Sequence, residues 1–255
     1  MPFTKVQSEK LAQAVVRQIE ELILRGILRP GERLPSEREL SERMGVSRPS
    51  LREAVSDLEA SGLIETRPGS GMYISPTLEA QFSPALTRLF ARHDEAVNDY
   101  IDFRRDMEGM AIVRACTHGS ETDLRVVDTL FRKMEEAHSK RDPSEEAALD
   151  AEFHMAIVEA CHNVVMIHVM RSLFELLQQG VFFNRQVMFA QRMTRDMLLD
   201  QHRAINDALQ ARDADAARSA VNAHLDFVET ALDGQRRADR HEAVAQLRYA
   251  HEQER

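Results

Sequence analysis

The stretch LPSERELSERMGVSRPSLREAVSDLEASGLIETRPGSGMYI, residues 34–74, decides the fold class. Leu34-Pro35 leads into Ser36, and Glu39 stands three residues on, the capping-box spacing that satisfies free amides at a helix start. A short helix over about Glu37 to Met44 then stops at Gly45. Ser47 can cap the next helix, whose apolar stripe is Leu51, Ala54, Val55 and Leu58 and whose stop is Gly62. Upstream, Leu11, Val15, Ile19, Leu22 and Ile23 recur at helical spacing between Glu9 and Leu24; Gly26 follows, and Arg29-Pro30-Gly31 makes a turn. Three short helices with a glycine turn have helix-turn-helix spacing. Downstream, Leu63–Arg67 and Met72–Ile74 read as short strands around Pro68-Gly69-Ser70-Gly71, a small β-hairpin wing.

The sequence beyond is of another kind. Ser75 to Pro84 holds two prolines and no clear period, and everything after it reads as amphipathic helix. Breaks near His93-Asp94, Gly119-Ser120, Asp142-Pro143, His162-Asn163, Gly180 and Arg212-Asp213 divide it into six or seven helices, an antiparallel bundle. From Gly234 the chain is charge-rich, which predicts a frayed or exposed helical tail. The expected organisation is therefore mainly α: a winged helix-turn-helix over residues 8–75, a linker over 76–84, a helical bundle over 85–232 and a charged tail over 233–255.

Composition agrees. With 43% hydrophobic and 29% charged residues in 255, the chain can bury a core, which excludes disorder and collagen-like structure. Two cysteines, Cys116 and Cys161, fit a reducing compartment and read as small buried apolar residues. Nothing resembles a signal peptide or the roughly 20 apolar residues that span a bilayer, so the expectation is a cytoplasmic protein with no membrane partner. Residues 1–75 carry eleven basic and eleven acidic side chains, so the rest of the chain holds the whole net charge of −9. An acidic second half is repelled by a polyanion that clustered arginines in the first half can grip.

Those arginines are placed for it. In a helix-turn-helix the start of the third helix faces base edges in the major groove, where arginine bonds guanine bidentately. Arg48 and Arg52 stand there, one turn apart and flanking the buried stripe. Ser47 and Ser50 add hydroxyls, Arg38 on the preceding helix can clamp the backbone, and Gly69 lets the wing approach a phosphate or a minor groove closely.

In the second half, polar groups interrupt apolar stripes. Asp150 and His154 are spaced i, i+4 beside Phe153, Ile157 and Cys161; His202 shares a stripe with Leu198, Ile205 and Leu209, and His224 with Ala217, Val221 and Val228. One such histidine is ordinarily a hydrogen-bonded core residue. Three imidazoles and a carboxylate together suit a divalent metal ion, Zn²⁺ first and Ni²⁺ or Mn²⁺ as alternatives. Arg104 and Glu108 interrupt the stripe through Val97, Ile101, Ala111 and Ala115, either as an i, i+4 ion pair or with Arg104 holding the carboxylate of a small effector that also reaches the metal. Asn163 reads as a helix cap, Asn184 and Arg185 as weak pocket candidates, and Met107, Met110, Met155, Met166, Met170 and Met188 as core filler.

Residues 34–74 resemble the winged helix-turn-helix of GntR-type bacterial transcriptional regulators. FRRDMEG at 103–109, DAEFHMAIVEACHN at 150–163, QHRAINDAL at 201–209 and NAHL at 222–225 resemble the FCD effector domain of the FadR subfamily. The resemblance implies a homodimer that binds a palindromic operator on double-stranded DNA and responds to a small metabolite. It implies DNA contacts at Arg38, Arg48, Arg52 and Gly69, with Pro49 departing from the usual pattern, and metal ligands at Asp150, His154, His202 and His224. GVFFNRQVMF, residues 181–190, is similar to lactate- and glycolate-responsive members, which suggests a 2-hydroxy or 2-oxo acid as effector. The leading expectation is thus a non-enzymatic regulator, a repressor first. The alternatives are a metal-dependent hydrolase on the Asp/His3 group, with Glu108 the one spare acid, and an architectural DNA-binding protein without effector.

Overall fold

A computed structural model describes residues 11–76, 84–90, 93–178 and 192–253. The chain divides into two compact units, Met1–Ser83 and Pro84–Arg255.

The first unit contains α1 (Leu11–Leu24), α2 (Glu37–Met44), α3 (Arg48–Ala60), β1 (Ile64–Arg67) and β2 (Gly71–Ile74). Ala12, Val15, Ile19 and Ile23 of α1 pack with Leu51, Leu58, Ile64 and Ile74 in one core. Leu11, expected in that stripe, is 58% exposed, and Ala12 takes the inward position. The strands pair antiparallel with Ile64 opposite Ile74 and Thr66 opposite Met72, so Gly71 belongs to the hairpin and Leu63 lies outside it. A third segment joins them, which the sequence pattern did not reveal. Leu34 N donates to Met72 O, Ile74 N donates to Glu32 O, and Arg33 bridges to Tyr73.

The capping expectations at α2 and α3 divide. Ser47 Oγ accepts the Ser50 amide at α3, and Gly45 ends α2 in the left-handed region at φ 64°. At α2, Ser36 Oγ accepts the Glu39 amide, but the Glu39 carboxylate turns to Arg43 instead of closing the box. A charged donor one turn along outcompetes a neutral amide. The reciprocal box occurs elsewhere, at Ser120 and Asp123.

The second unit has seven helices among the described residues: α4 (Pro84–Phe90), α5 (Asp94–His118), α6 (Glu121–His138), α7 (Ser144–Ala160), α8 (Val164–Gln178), α9 (Arg192–Gln210) and α10 (Ala214–Gln253). α5 packs on α7 and α10, α6 on α7 and α9, and α9 on α10. Ile101, Ile112, Val127, Phe153, Leu198, Ile205 and Leu225 fill the space between them. Asn163 Oδ1 accepts the amides of Val165 and Met166 and so caps α8. α10 runs through Gly234 without a break, and the expected tail is its exposed continuation as far as Gln253. Met166 and Met170 are buried, whereas Met110 lies 42% exposed, two residues from buried Glu108 and on the other side of α5. The break expected at Gly180, and Asn184, Arg185 and Met188, lie outside the described residues. No described helix is long and apolar enough to cross a membrane.

Candidate metal centre and nucleic-acid interface

In the first unit, Leu51, Ala54, Val55 and Leu58 face inward and thereby turn Arg48 and Arg52 outward from α3. Pro49 sits in the first turn, where its missing N–H costs no helical hydrogen bond. Arg52 Nε donates to Glu37 at 2.9 Å, and Arg38 Nε to Glu42 at 3.1 Å. Both pairs are exposed, and such pairs contribute only about 0–1 kcal/mol, so either guanidinium can exchange its carboxylate for a phosphate at little cost. Arg48 makes no ion pair among the described residues. The Ser47 and Ser50 hydroxyls lie 2.9 Å apart and bond each other. Gly69 turns the wing at φ 73°, a backbone region that disfavours side chains, and the space where its Cβ would stand is open.

In the second unit the structure brings together Asp150 and His154 from α7, His202 from α9 and His224 from α10. All four are buried, and one donor atom from each lies within 4.8 Å of the others. His202 Nε2 is 2.9 Å from Asp150 Oδ1 and 3.1 Å from His154 Nε2, which is 3.7 Å from the same oxygen. Around an ion with bonds of about 2.1 Å, neighbouring donors stand roughly 3.0–3.4 Å apart; the Asp150, His154 and His202 atoms are near that spacing, and His224 would close on them by a small adjustment. Without an ion, acceptor atoms would converge in a buried space with only a proton to share.

The far sides of the rings fix which nitrogen is offered. Glu108 Oε2 lies 2.8 Å from His154 Nδ1, and Gln201 Oε1 lies 3.1 Å from His224 Nδ1. With the proton on Nδ1 as donor, each Nε2 keeps its lone pair for a metal. Burial pushes the His154 imidazole below its ordinary range against the opposing pull of Glu108. Burial, then the neighbouring imidazoles of His202 and His154, push His224 well below it. Neutral imidazoles are the form that binds metal. Phe153 meets His154 and His202 edge-on, and Phe174 stacks on His154, which gives the cluster apolar walls.

Arg104 is 2% exposed and adjoins the cluster. Its Nε donates to Glu108 Oε1 at 2.6 Å, and its guanidinium lies 5.1 Å from the Phe174 ring. One of its terminal nitrogens, Nη2, is buried with no hydrogen-bond acceptor among the described residues. Burial acts to raise the Glu108 carboxyl, but the Arg104 guanidinium and the His154 imidazole outweigh it and hold it at about 2. The i, i+4 ion pair is therefore present and does not exhaust the donors of Arg104. Sequence reading singled out Glu108 as a stripe breaker but not as the partner of His154, and it missed Gln201. Neither link has a local signal, since the partners are 46 and 23 residues apart.

Comparison with known proteins agrees with both halves. Residues 11–74 match the family described as bacterial regulatory proteins, gntR family, and residues 99–227 match the FCD domain. The chain is 34% identical over 231 residues to the "Putative L-lactate dehydrogenase operon regulatory protein" of Escherichia coli (strain K12), covering 89% of this chain and 88% of that one. It is 31% identical over 231 residues to the Glc operon transcriptional activator of the same organism, covering 89% and 91%. Among solved structures, E. coli McbR/YncC aligns with a TM-score of 0.50 at 18% identity, over 88% of this chain and 98% of that one, a likeness of fold. The chain belongs to the gntR family of bacterial transcriptional regulators and carries a C-terminal FCD domain.

Proposed function

We propose that the chain is a homodimeric, operator-binding regulator whose DNA affinity is set by a small 2-hydroxy or 2-oxo acid held at a divalent metal in the helical bundle. The observation that carries this reading is the buried convergence of Asp150, His154, His202 and His224 beside an arginine with an unused donor. Asp150 and the three imidazoles would hold the ion, Zn²⁺ being the first expectation and Ni²⁺ or Mn²⁺ the alternatives. A bound ion supplies positive charge and open positions for the oxygens of a chelating acid. Arg104 Nη2 would receive the carboxylate, and Phe174 and Tyr100, whose rings flank the guanidinium, would exclude water around it. The relative named for an L-lactate dehydrogenase operon supports this class of acid.

In the DNA-binding unit, Arg48 and Arg52 would read base edges from the start of α3. Arg38, Ser47, Ser50 and the wing at Gly69 would position the phosphates of a palindromic site. Effector binding can change operator occupancy only through unequal affinity for two states of the protein, and repression relieved by the acid is the leading sign. Glu108, the one acid the sequence offers a hydrolase as general base, is committed to Arg104 and His154, which favours binding over turnover.

The test is thermal unfolding of metal-stripped and zinc-reloaded protein against lactate, glycolate, pyruvate and sugar acids. A ligand at a hundred times its dissociation constant stabilises by about 2.7 kcal/mol. The expected result is a shift for one acid that requires metal and disappears in Arg104→Ala. If metal alone stabilises and no acid adds to it, the ion is structural and the effector reading fails. Equal affinity for a palindromic site and random duplex would favour the architectural alternative.

A further inference from the structure

The contact between Glu108 and His154 spans two helices and links the two parts of the site. Glu108, on α5, faces a partner at each oxygen: Oε1 accepts from Arg104 Nε at 2.6 Å, and Oε2 lies 2.8 Å from His154 Nδ1 as a close ion-pair contact. All three residues are at most 2% exposed, so no solvent molecule substitutes freely for either contact. We propose that Glu108 is the positioning residue that sets the metal-binding tautomer of His154 and makes that ligand sensitive to what Arg104 holds; this rests on the metal and effector reading above.

The outcome depends on how many acceptors residue 108 offers. A carboxylate accepts at both ends, so it can keep the His154 proton on Nδ1 while it anchors Arg104. An amide accepts at one end only. In Glu108→Gln the charged guanidinium takes the amide oxygen, because the charge-assisted bond is the stronger of the two. The amide NH2 then faces His154 Nδ1, which has to accept, and the ring proton moves to Nε2, the atom that points at Asp150 and His202. The ligand is lost with every heavy atom still in place. Conversely, a carboxylate that engages Arg104 Nη2 shares the guanidinium charge between two anions. Glu108 is then less neutralised and pulls harder on the His154 proton, which makes Nε2 a better donor to the metal. Effector and metal affinities would rise together, as linkage requires.

The experiment uses the full chain labelled with nitrogen-15 histidine. Long-range proton–nitrogen correlation of the metal-free protein reads the His154 tautomer, and competition with a chromogenic chelator reads Zn²⁺ affinity. The expected parent carries the proton on Nδ1. Glu108→Gln moves it to Nε2 and weakens Zn²⁺ binding roughly 10–100-fold, the range typical of a lost second ligand contact. Because Glu108→Gln leaves a buried arginine without a counter-charge and can fail to fold, the double variant Arg104→Met/Glu108→Gln is measured beside it. There the amide oxygen is free for His154, and both the Nδ1 tautomer and most of the Zn²⁺ affinity return. A structural role for the ion pair alone predicts no such rescue. If the parent binds Zn²⁺ and Glu108→Gln changes neither tautomer nor affinity, the proposal falls while the metal site stands. If the parent binds no Zn²⁺, the metal reading fails and takes the proposal with it.

Discussion

Arg195 ties the first turn of α9, the helix that carries His202, to α6 and α7, and Arg195→Met measures what that tie contributes. The Arg195 guanidinium donates from Nε to Glu146, from Nη1 to Lys140 O at 3.0 Å and from Nη2 to Ala137 O at 2.9 Å. It thus bonds carbonyls at the end of α6, neutralises a carboxylate on α7 that is 0% exposed, and fixes the first turn of α9 to both. Removing one partner of a buried pair costs about 3–5 kcal/mol, because the other charge stays buried. His138 Nδ1, 3.0 Å from Glu146, still faces that carboxylate, which places the expected loss at the low end. For a unit of this size about 3 kcal/mol lowers the melting temperature by roughly 6–12 °C. The assay is thermal unfolding of the metal-free full chain followed by helical circular dichroism, for the single variant and for Arg195→Met/Glu146→Gln. The double variant should recover more than half of the loss, since it buries no unpaired charge. His202 lies two helical turns beyond Arg195 on the same face of α9, so the single variant should also bind Zn²⁺ more weakly. A single variant that melts within 2 °C of the parent, or a double variant no better than the single, would refute the reasoning.

Acid should destabilise the metal-free protein. His154 and His224 are both depressed in the fold, so the unfolded chain takes up protons first as pH falls through about 6.5; stability present above that value declines below it, as does Zn²⁺ loading. Denaturant midpoints from pH 8 to pH 5.5 check the sign, and a flat profile would show that neither imidazole is held neutral. Arg48→Ala should weaken binding to operator and random duplex alike if the contact is to phosphate, with the salt slope reduced by about 0.9. It should relax discrimination at one base pair by about 1–3 kcal/mol if the contact is to guanine. Fluorescence anisotropy at three salt concentrations separates these outcomes. Asn163→Ala removes the acceptor for two amides at the start of α8 and should cost about 1 kcal/mol in chemical unfolding; no change would mean that water replaces the cap.

What the sequence made legible was whatever is decided within one helical turn. The stops at Gly45 and Gly62, the Ser47 and Asn163 caps, and the inward faces of α3 and α5 all follow from spacings of three or four residues. The misreadings also occur at that scale, where two local solutions compete. Glu39 could close a box on Ser36 or pair with Arg43, and both lie within reach of one side chain. Leu11 and Ala12 could each begin the stripe of α1, and only the packing of α1 on α3 selects the smaller residue. The edge segment at Arg33 was invisible because its alternation is too short to differ from a turn.

The candidate site divides along the same line. Asp150, His154, His202, His224, Arg104 and Glu108 could each be found singly, because burying a charged or imidazole group in an apolar stripe is costly enough to stand out. Which of them meet could not, because α5, α7, α9 and α10 are joined by a packing geometry that no local pattern encodes. That is why Asp150, His154, His202 and His224 could be grouped only by their chemistry and a family likeness, while Glu108 and Gln201 were not assigned to His154 and His224. The ligand nitrogens are oriented from behind by groups on other helices, and one of those groups, Glu108, is itself held by Arg104, whose remaining donor is unused. On the proposed reading, a change at Arg104 would reach the metal position through the proton on His154, between the rings of Phe153 and Phe174.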